Sequence, residues 1–226
     1  MIIAFEGMDG VGKTTIADGV SKKLGISHSE QNLIDIMEIK SNDFGKLVRF
    51  VRKSNNKKLS FIFYTLRCMI DNQYDSDLIV ERSMVSTYYF EHNNVLENDF
   101  DFAMKLGVVP NITFLLYASS DVRKERITAR NPNDSDLTKA EALQDGYGIM
   151  RKFIQNYSIP CIEIDTEKLN CDQVIEICSS IICEYKNIPM EYYDDFFDYY
   201  NGMYSMKNNK KEDEKVLCRK KKRSMM

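Results

Sequence analysis

The 226-residue chain is 43% hydrophobic and 29% charged, a length that suits one α/β domain with a full core and a composition that excludes a disordered chain. With 31 basic against 34 acidic side chains there is no global pull toward a polyanion. No run of about eighteen apolar residues exists to span a membrane, and the six cysteines form no CxxC pair or zinc-type spacing, which suits reduced, buried thiols and a cytoplasmic setting.

The run Ile2 to Phe5 predicts a buried strand rather than a secretory leader, because no basic flank or long apolar region accompanies it. Gly7-Met8-Asp9-Gly10-Val11-Gly12-Lys13-Thr14 follows, and then Ile16, Ala17, Val20 and Leu24 at helical spacing predict a helix from about Thr14 to Leu24. Strand, GxxxxGK[ST] loop and helix stand in the order that a Walker A phosphate loop requires. The backbone of Gly7, Gly10, Val11 and Gly12 is expected to turn its N–H groups onto phosphate oxygens, at the positive end of the helix. Lys13 is expected to reach the β- and γ-phosphates, the Thr14 hydroxyl to ligate magnesium, and Thr15 to bond the α-phosphate side. The expected ligands are therefore ATP as phosphate donor and Mg2+.

Further apolar runs at Leu78 to Val80, Ile112 to Tyr117 and Cys161 to Ile164 are each separated by enough chain for a crossover helix. The alternation predicts an α/β, three-layer P-loop NTPase sandwich, with a central parallel sheet, helices on both faces and a short lid. Ser120-Asp121 starts a helix that runs to Arg130, and Thr138 with Glu141 forms a capping box. Between them Asn131 to Asp136 is a polar loop placed to act as the lid.

A last helix spans about Cys171 to Tyr185, and the kinase-like domain is expected over residues 1–188. Residues 189–204 hold four acidic and no basic side chains among many aromatics, whereas 205–226 hold nine basic and three acidic. This predicts a partly disordered, solvated tail, with packing of the acidic-aromatic stretch as a helix as the alternative. His28 and His92 are the only histidines and have no recognisable metal or triad partner, so ordinary surface or core roles are expected, with a place facing the pocket as the alternative for His28, which lies near Glu30.

The string Phe5-Glu6-Gly7-Met8-Asp9-Gly10-Val11-Gly12-Lys13-Thr14-Thr15 resembles the FEGxDGxGKTT opening of thymidylate kinases. Glu81-Arg82-Ser83-Met84-Val85-Ser86, directly after a predicted strand, is similar to the DRYxxS motif of that family and to the ERSxxS motif of deoxynucleoside kinases. At the carboxyl end of a strand, a carboxylate can orient an acceptor oxygen and hold metal-bound water, while the neighbouring guanidinium grips a phosphate. The resemblance implies that Phe63 stacks on the acceptor base, that Arg67 meets the acceptor phosphate, and that Asp9 contacts the acceptor sugar. Pro110 to Leu115, the helix through Arg126 and Arg130, and Gly146-Tyr147 also resemble the family pattern.

Two departures stand out. The REPG-type segment is missing, and Glu30 stands where deoxynucleoside kinases use a glutamate near the 5′-hydroxyl. Only fourteen positions separate Arg67 from Glu81, so the acceptor pocket is expected to be remodelled. Gly10 occupies the loop position where some thymidylate kinases have an arginine, which leaves Arg126 or Arg130 to close over the γ-phosphate.

The resulting expectation is a nucleoside monophosphate kinase acting on dTMP or a relative, with Lys13, Glu81, Arg82, Arg126 and Arg130 as catalytic side chains. Asp9, Glu30, Phe63, Arg67 and Arg82 are the expected acceptor contacts. A deoxynucleoside kinase, a regulatory or nucleic-acid-associated NTPase using the basic tail, and a nucleotide-binding protein without activity are the alternatives. The expected partner is a small nucleotide or nucleoside, not a membrane and not nucleic acid, and the resemblance implies a homodimer as one option.

Overall fold

The computed structural model describes residues 1–29, 41–71, 73, 75–106, 109–134, 136–138 and 146–205. Five strands, β1 (Ile2–Glu6), β2 (Ser27–Ser29), β3 (Leu78–Glu81), β4 (Ile112–Tyr117) and β5 (Cys161–Asp165), form one parallel sheet in the order β2-β3-β1-β4-β5. Parallel neighbours need crossovers, and helices supply them. Those between the strands are α1 (Lys13–Leu24), α2 (Ser41–Lys53), α3 (Lys57–Asp71), α4 (Met84–Glu91), α5 (Glu97–Lys105), α6 (Ser120–Arg130) and α7 (Gly146–Asn156), while α8 (Cys171–Tyr185) and α9 (Tyr193–Tyr204) follow β5.

Strand alternation sorts the core into two layers. Ile3 and Phe5, Phe114 and Leu116, and Ile162 and Ile164 point to one face, where they pack with Ile16, Ala17 and Val20 of α1 and Val174, Cys178, Ile181 and Ile182 of α8. Leu115 points to the other face and joins Phe61 and Cys68 of α3, Val85 and Tyr88 of α4, Phe100 of α5 and Met150 and Phe153 of α7. Each fully buried Ile, Leu or Phe contributes roughly 1.5–3 kcal/mol by leaving water. This is the three-layer arrangement expected from the sequence.

The register decides where chemistry can occur. Phe5 lies level with Glu81 on β3 and with Phe114 on β4, so β1 and β3 end together. Their carboxyl ends release the phosphate loop and the Glu81-Arg82 turn side by side.

The packed unit continues past residue 188. Helix α9 lies along β5, with Phe196 and Tyr200 buried in the same core as α1 and α8. Asn201 explains the fit: its side-chain amide donates to the Cys161 carbonyl (2.8 Å) and accepts from the Glu163 N–H (2.8 Å). It thereby supplies the bonds that a sixth strand would give this edge. Acidic residues on the outer turns concealed the apolar Phe196-Tyr200 spacing from a reading based on charge. Residues 206–226, with the basic run, lie outside the described residues, as do Glu141 of the expected capping box and residue 135 of the lid loop.

Cys68 and Cys178 are the buried free thiols expected, Cys161 is half-buried, and Cys171 and Cys183 depart from that expectation by being exposed. No helix among the described residues is long and apolar enough to cross a membrane.

Candidate active site

Helix α1 begins inside the glycine loop, with Gly12 at φ 100° as its N-cap. Lys13 is buried and its Nζ donates to the carbonyls of Gly7 (2.9 Å) and Met8 (3.0 Å), so the ammonium is already folded over the loop. Burial, and then the Arg82 charge, push the Lys13 amine down to about 8, against the pull of Asp9, Glu6 and Glu81.

At Gly10, φ is +81° and a Cβ would stand 2.8 Å from the Ile127 side chain and 2.9 Å from the Arg123 carbonyl. Helix α6 therefore presses directly on the loop, and no arginine could occupy this position without displacing it.

Arg123, only 1% exposed, holds that contact in place. Its Nε donates to the Ala118 carbonyl (3.2 Å), its Nη1 to the Asp9 carbonyl (3.3 Å), and its guanidinium lies 6.0 Å from the Tyr147 ring centroid. Its role is missed in the sequence, where it is one cation among several in α6. The available signal is its spacing of four from buried Ile127, which puts Arg123 on the inner face of the helix.

Arg126 and Arg130 lie one turn apart but differ in surroundings. Arg126 donates to the Val11 carbonyl (3.3 Å), the Thr166 hydroxyl (3.0 Å) and the Thr166 carbonyl (2.8 Å), which ties it to the back of the loop. Arg130, 60% exposed, pairs with Asp134 (2.5 Å) and lies 3.7 Å from Asp136. Both line the cleft, and Arg130 is the one that reaches it without breaking a tether to the backbone.

Across the cleft, the Thr14 hydroxyl donates to Glu81 Oε2 (2.8 Å). Arg67 donates from Nη2 to the Glu81 carbonyl (2.6 Å), and Arg82 pairs with Asp9. Arg82 sits at φ 68°, in left-handed backbone that is uncommon for a non-glycine residue, and its guanidinium lies 5.5 Å from the Phe90 ring centroid.

A buried carboxylate holds this turn. Glu6, with no exposed surface, accepts from the Ser83 N–H (2.5 Å), the Ser83 hydroxyl (2.7 Å), the Ser86 N–H (3.3 Å) and the Ser86 hydroxyl (2.5 Å). The glutamate of FEG and the two serines of ERSxxS are thus one hydrogen-bonded unit. Neither motif read alone reveals that.

His28 also leaves the ordinary role expected for it. Its Nδ1 donates to Asp18 (2.6 Å) and its Nε2 faces Glu81 Oε1 at 3.4 Å. The Glu81 contact, opposed by burial and helped by Asp18, raises the His28 pKa. Burial raises the Glu81 pKa, but His28, Thr14 and Lys13 outweigh it and hold the carboxyl below its usual range.

Phe63 is 9% exposed and packs against Val51 of α2 and edge-on to Tyr64. The ring is committed to the α2–α3 contact and does not present an open face for a base. Glu30 lies outside the described residues.

The cleft, about 390 Å³, is lined by four cations, Lys13, Arg82, Arg126 and Arg130, against the acids Asp9, Glu81 and Asp136. That surplus suits an anionic ligand. Thr14 and Glu81 supply the hard oxygen donors that a magnesium ion uses together with phosphate oxygens and water. No cluster of three His, Cys, Asp or Glu suited to a metal occurs among the described residues.

Residues 5–175 match the family model for thymidylate kinase. The chain belongs to the thymidylate kinase family. It is 24% identical over 191 residues to the cytidylate kinase of Methanocaldococcus jannaschii, covering 80% of this chain and 97% of that protein. It is 26% identical over 196 residues to a probable thymidylate kinase of Methanococcus maripaludis, covering 80% and 94%. Among solved structures, deoxyadenosine kinase from M. mycoides with bound dATP superposes with a TM-score of 0.57 at 21% identity, over 81% of this chain and 100% of that one. The thymidylate kinase family membership makes this chain a nucleotide kinase with ATP as donor, and the structural likeness extends to the sheet and its helices.

Proposed function

We propose that this thymidylate kinase family member transfers the γ-phosphoryl group of ATP to a nucleoside monophosphate, with dTMP as the first acceptor to test. The observation that carries the reading is the convergence of Glu81, Arg67 and Arg82 opposite the Lys13 loop. Two anions must be brought within bonding distance, and their repulsion in a cleft of low dielectric is large. Cations on both sides of the transfer coordinate, Lys13 with the donor and Arg82 with the acceptor, answer that need, whereas a bare nucleoside brings no phosphate charge to be met.

In this mechanism the loop N–H groups and Lys13 hold the donor phosphates, with Thr15 on the α-phosphate side. Thr14 would hold magnesium, which when bound neutralises charge on the β- and γ-phosphates, and Glu81 would fix a metal-bound water. Glu81 and Arg82 orient the acceptor phosphate oxygen for in-line attack, while Arg67 braces the turn through the Glu81 carbonyl. Asp9, which pairs with Arg82, would meet the acceptor sugar. Arg130 swings from Asp134 to the γ-phosphate as charge develops there.

The test is a coupled ATP-consumption assay with Mg2+ and dTMP, dCMP, dAMP, dGMP or thymidine. Turnover with a monophosphate and none with thymidine is expected. Turnover with nucleosides alone would replace the reading with a deoxynucleoside kinase, for which Ser83 in the ERS motif is the favouring feature.

A further inference from the structure

Three elements meet behind the Glu81 carboxylate. His28 lies on β2 level with Ile79 of β3, and Ile79 and Glu81 share one face of that strand, so the imidazole leans toward Glu81 from the neighbouring strand. Asp18 reaches the same point from α1 and fixes the ring through Nδ1 at 2.6 Å. On its far side the imidazole turns Nε2 to Glu81 Oε1, 3.4 Å away. The His28 side chain is 8% exposed, and Nε2 and Oε1 are both buried atoms without a hydrogen-bond partner, whose 3.4 Å approach is an ion-pair contact. Two such atoms facing one another in the interior leave the contact between them as their only compensation for lost water. The second Glu81 oxygen, Oε2, is the one that Thr14 meets.

We infer that His28 is a positioning residue: clamped by Asp18, it holds Glu81 Oε1 so that Oε2 faces Thr14 and the transfer site. The inference rests on the reading of Glu81 as the acceptor-orienting carboxylate. A glutamate carboxylate at the end of a strand can rotate about three side-chain bonds, and an imidazole fixed at its own far nitrogen removes that freedom. Nothing in the sequence motifs requires a histidine here, and the chain supplies its orienter from β2 rather than from the Glu81-Arg82 turn itself.

The experiment compares His28→Ala, His28→Gln and Asp18→Ala with the wild-type chain, together with ¹⁵N spectra of the imidazoles. His28→Ala is expected to lower kcat about 10- to 100-fold, the usual range for removing a supporting hydrogen bond at a metal-assisted site, with little change in the ATP KM. His28→Gln, whose carboxamide nitrogen can stand near the place of Nε2, is expected to recover most of that loss, and Asp18→Ala to fall between. Recovery by glutamine separates positioning from bulk packing, since both variants remove the ring.

The chain contains only two histidines, so the spectra are simple. Glu81→Gln is expected to move the His28 ring nitrogens and leave those of His92 in place. Wild-type kcat in His28→Ala, equal damage in the alanine and glutamine variants, or unmoved His28 signals in Glu81→Gln would each overturn the inference. If the wild-type chain phosphorylates no monophosphate, the proposed function fails, and the spectra alone decide the His28–Glu81 contact.

Discussion

The donor side and the acceptor side of the cleft differ in how far apart their parts lie along the chain. Lys13 bonds to carbonyls five and six residues away, so one loop with the helix after it carries the expected donor contacts, with Arg123 and Arg126 of α6 bracing it from behind. The acceptor side is made of pairs such as Arg67 with Glu81, fourteen residues apart, Asp9 with Arg82, 73 apart, and Glu6 with Ser83, 77 apart. A cradle whose own contacts are local relies on distant elements only for support, whereas a side assembled across four elements can be reshaped by altering any one of them. Nucleotide kinases share a donor but differ in acceptor, and this division of construction suits that requirement.

The largest expected effect probes the border of the two sides. Arg130→Ala should lower kcat by about 10², the scale for losing one cation that meets developing charge, and leave the ATP KM nearly unchanged. Arg126→Ala should instead raise the ATP KM a few-fold, because Arg126 tethers Val11 to Thr166. Steady-state kinetics of the two variants would reverse this order if the Thr166 tether opens during turnover.

Glu6→Gln attacks the acceptor side from beneath. Its amide N–H₂ would face the Ser83 and Ser86 donors that now meet a carboxylate, at a cost of about 2–3 kcal/mol in stability. Denaturant unfolding should show the loss, and the acceptor KM should rise more than the ATP KM. An equal rise in both would mean that the Glu6 unit supports the donor loop as strongly as the Glu81-Arg82 turn.

The donor side carries its own pH signature. Lys13 is displaced down to about 8, so above that pH the free loop loses the charge that a triphosphate requires. Phosphate binding favours the ammonium, hence binding takes up a proton above pH 8. Affinity for an ATP analogue should be constant well below pH 8 and fall by up to about tenfold per unit above it. Calorimetric titration from pH 7 to 10 would detect this, and a flat profile to pH 10 would place the amine back at its ordinary lysine value.

The smallest effect separates packing from recognition. Phe63→Leu should cost about 1 kcal/mol of stability by shortening a buried side chain, with the acceptor KM unchanged within about twofold, since the ring is enclosed by Val51 and Tyr64. A large rise in KM without loss of stability would return Phe63 to the base-stacking position that the family resemblance implies.

Legibility followed the same division. The Gly7–Thr15 string, the strand before it and the helix after it are local, so residue spacing was sufficient to expect the donor loop and to place it at the carboxyl end of a strand. The α8 helix was legible for the same reason: Val174, Cys178, Ile181 and Ile182 repeat at helical spacing and are all buried. The acceptor side was legible only as separate motifs. That Phe63 turns into the α2–α3 packing, that Arg126 is tethered to Val11 and Thr166, and that α9 covers the β5 edge all depend on neighbours distant in the chain.

By itself, then, the sequence determined the parallel α/β architecture and the phosphate loop, because hydrophobic periodicity and glycine spacing are short-range consequences of backbone geometry. Only the tertiary structure decided that Glu6 secures Ser83 and Ser86, that Arg123 props the loop from within, and that Asp18, His28 and Glu81 form one chain of contacts. Those bonds join side chains whose proximity is set by strand register and helix packing, and a histidine or buried glutamate carries no sign in its own neighbourhood of which carboxylate or hydroxyl the fold will bring to it.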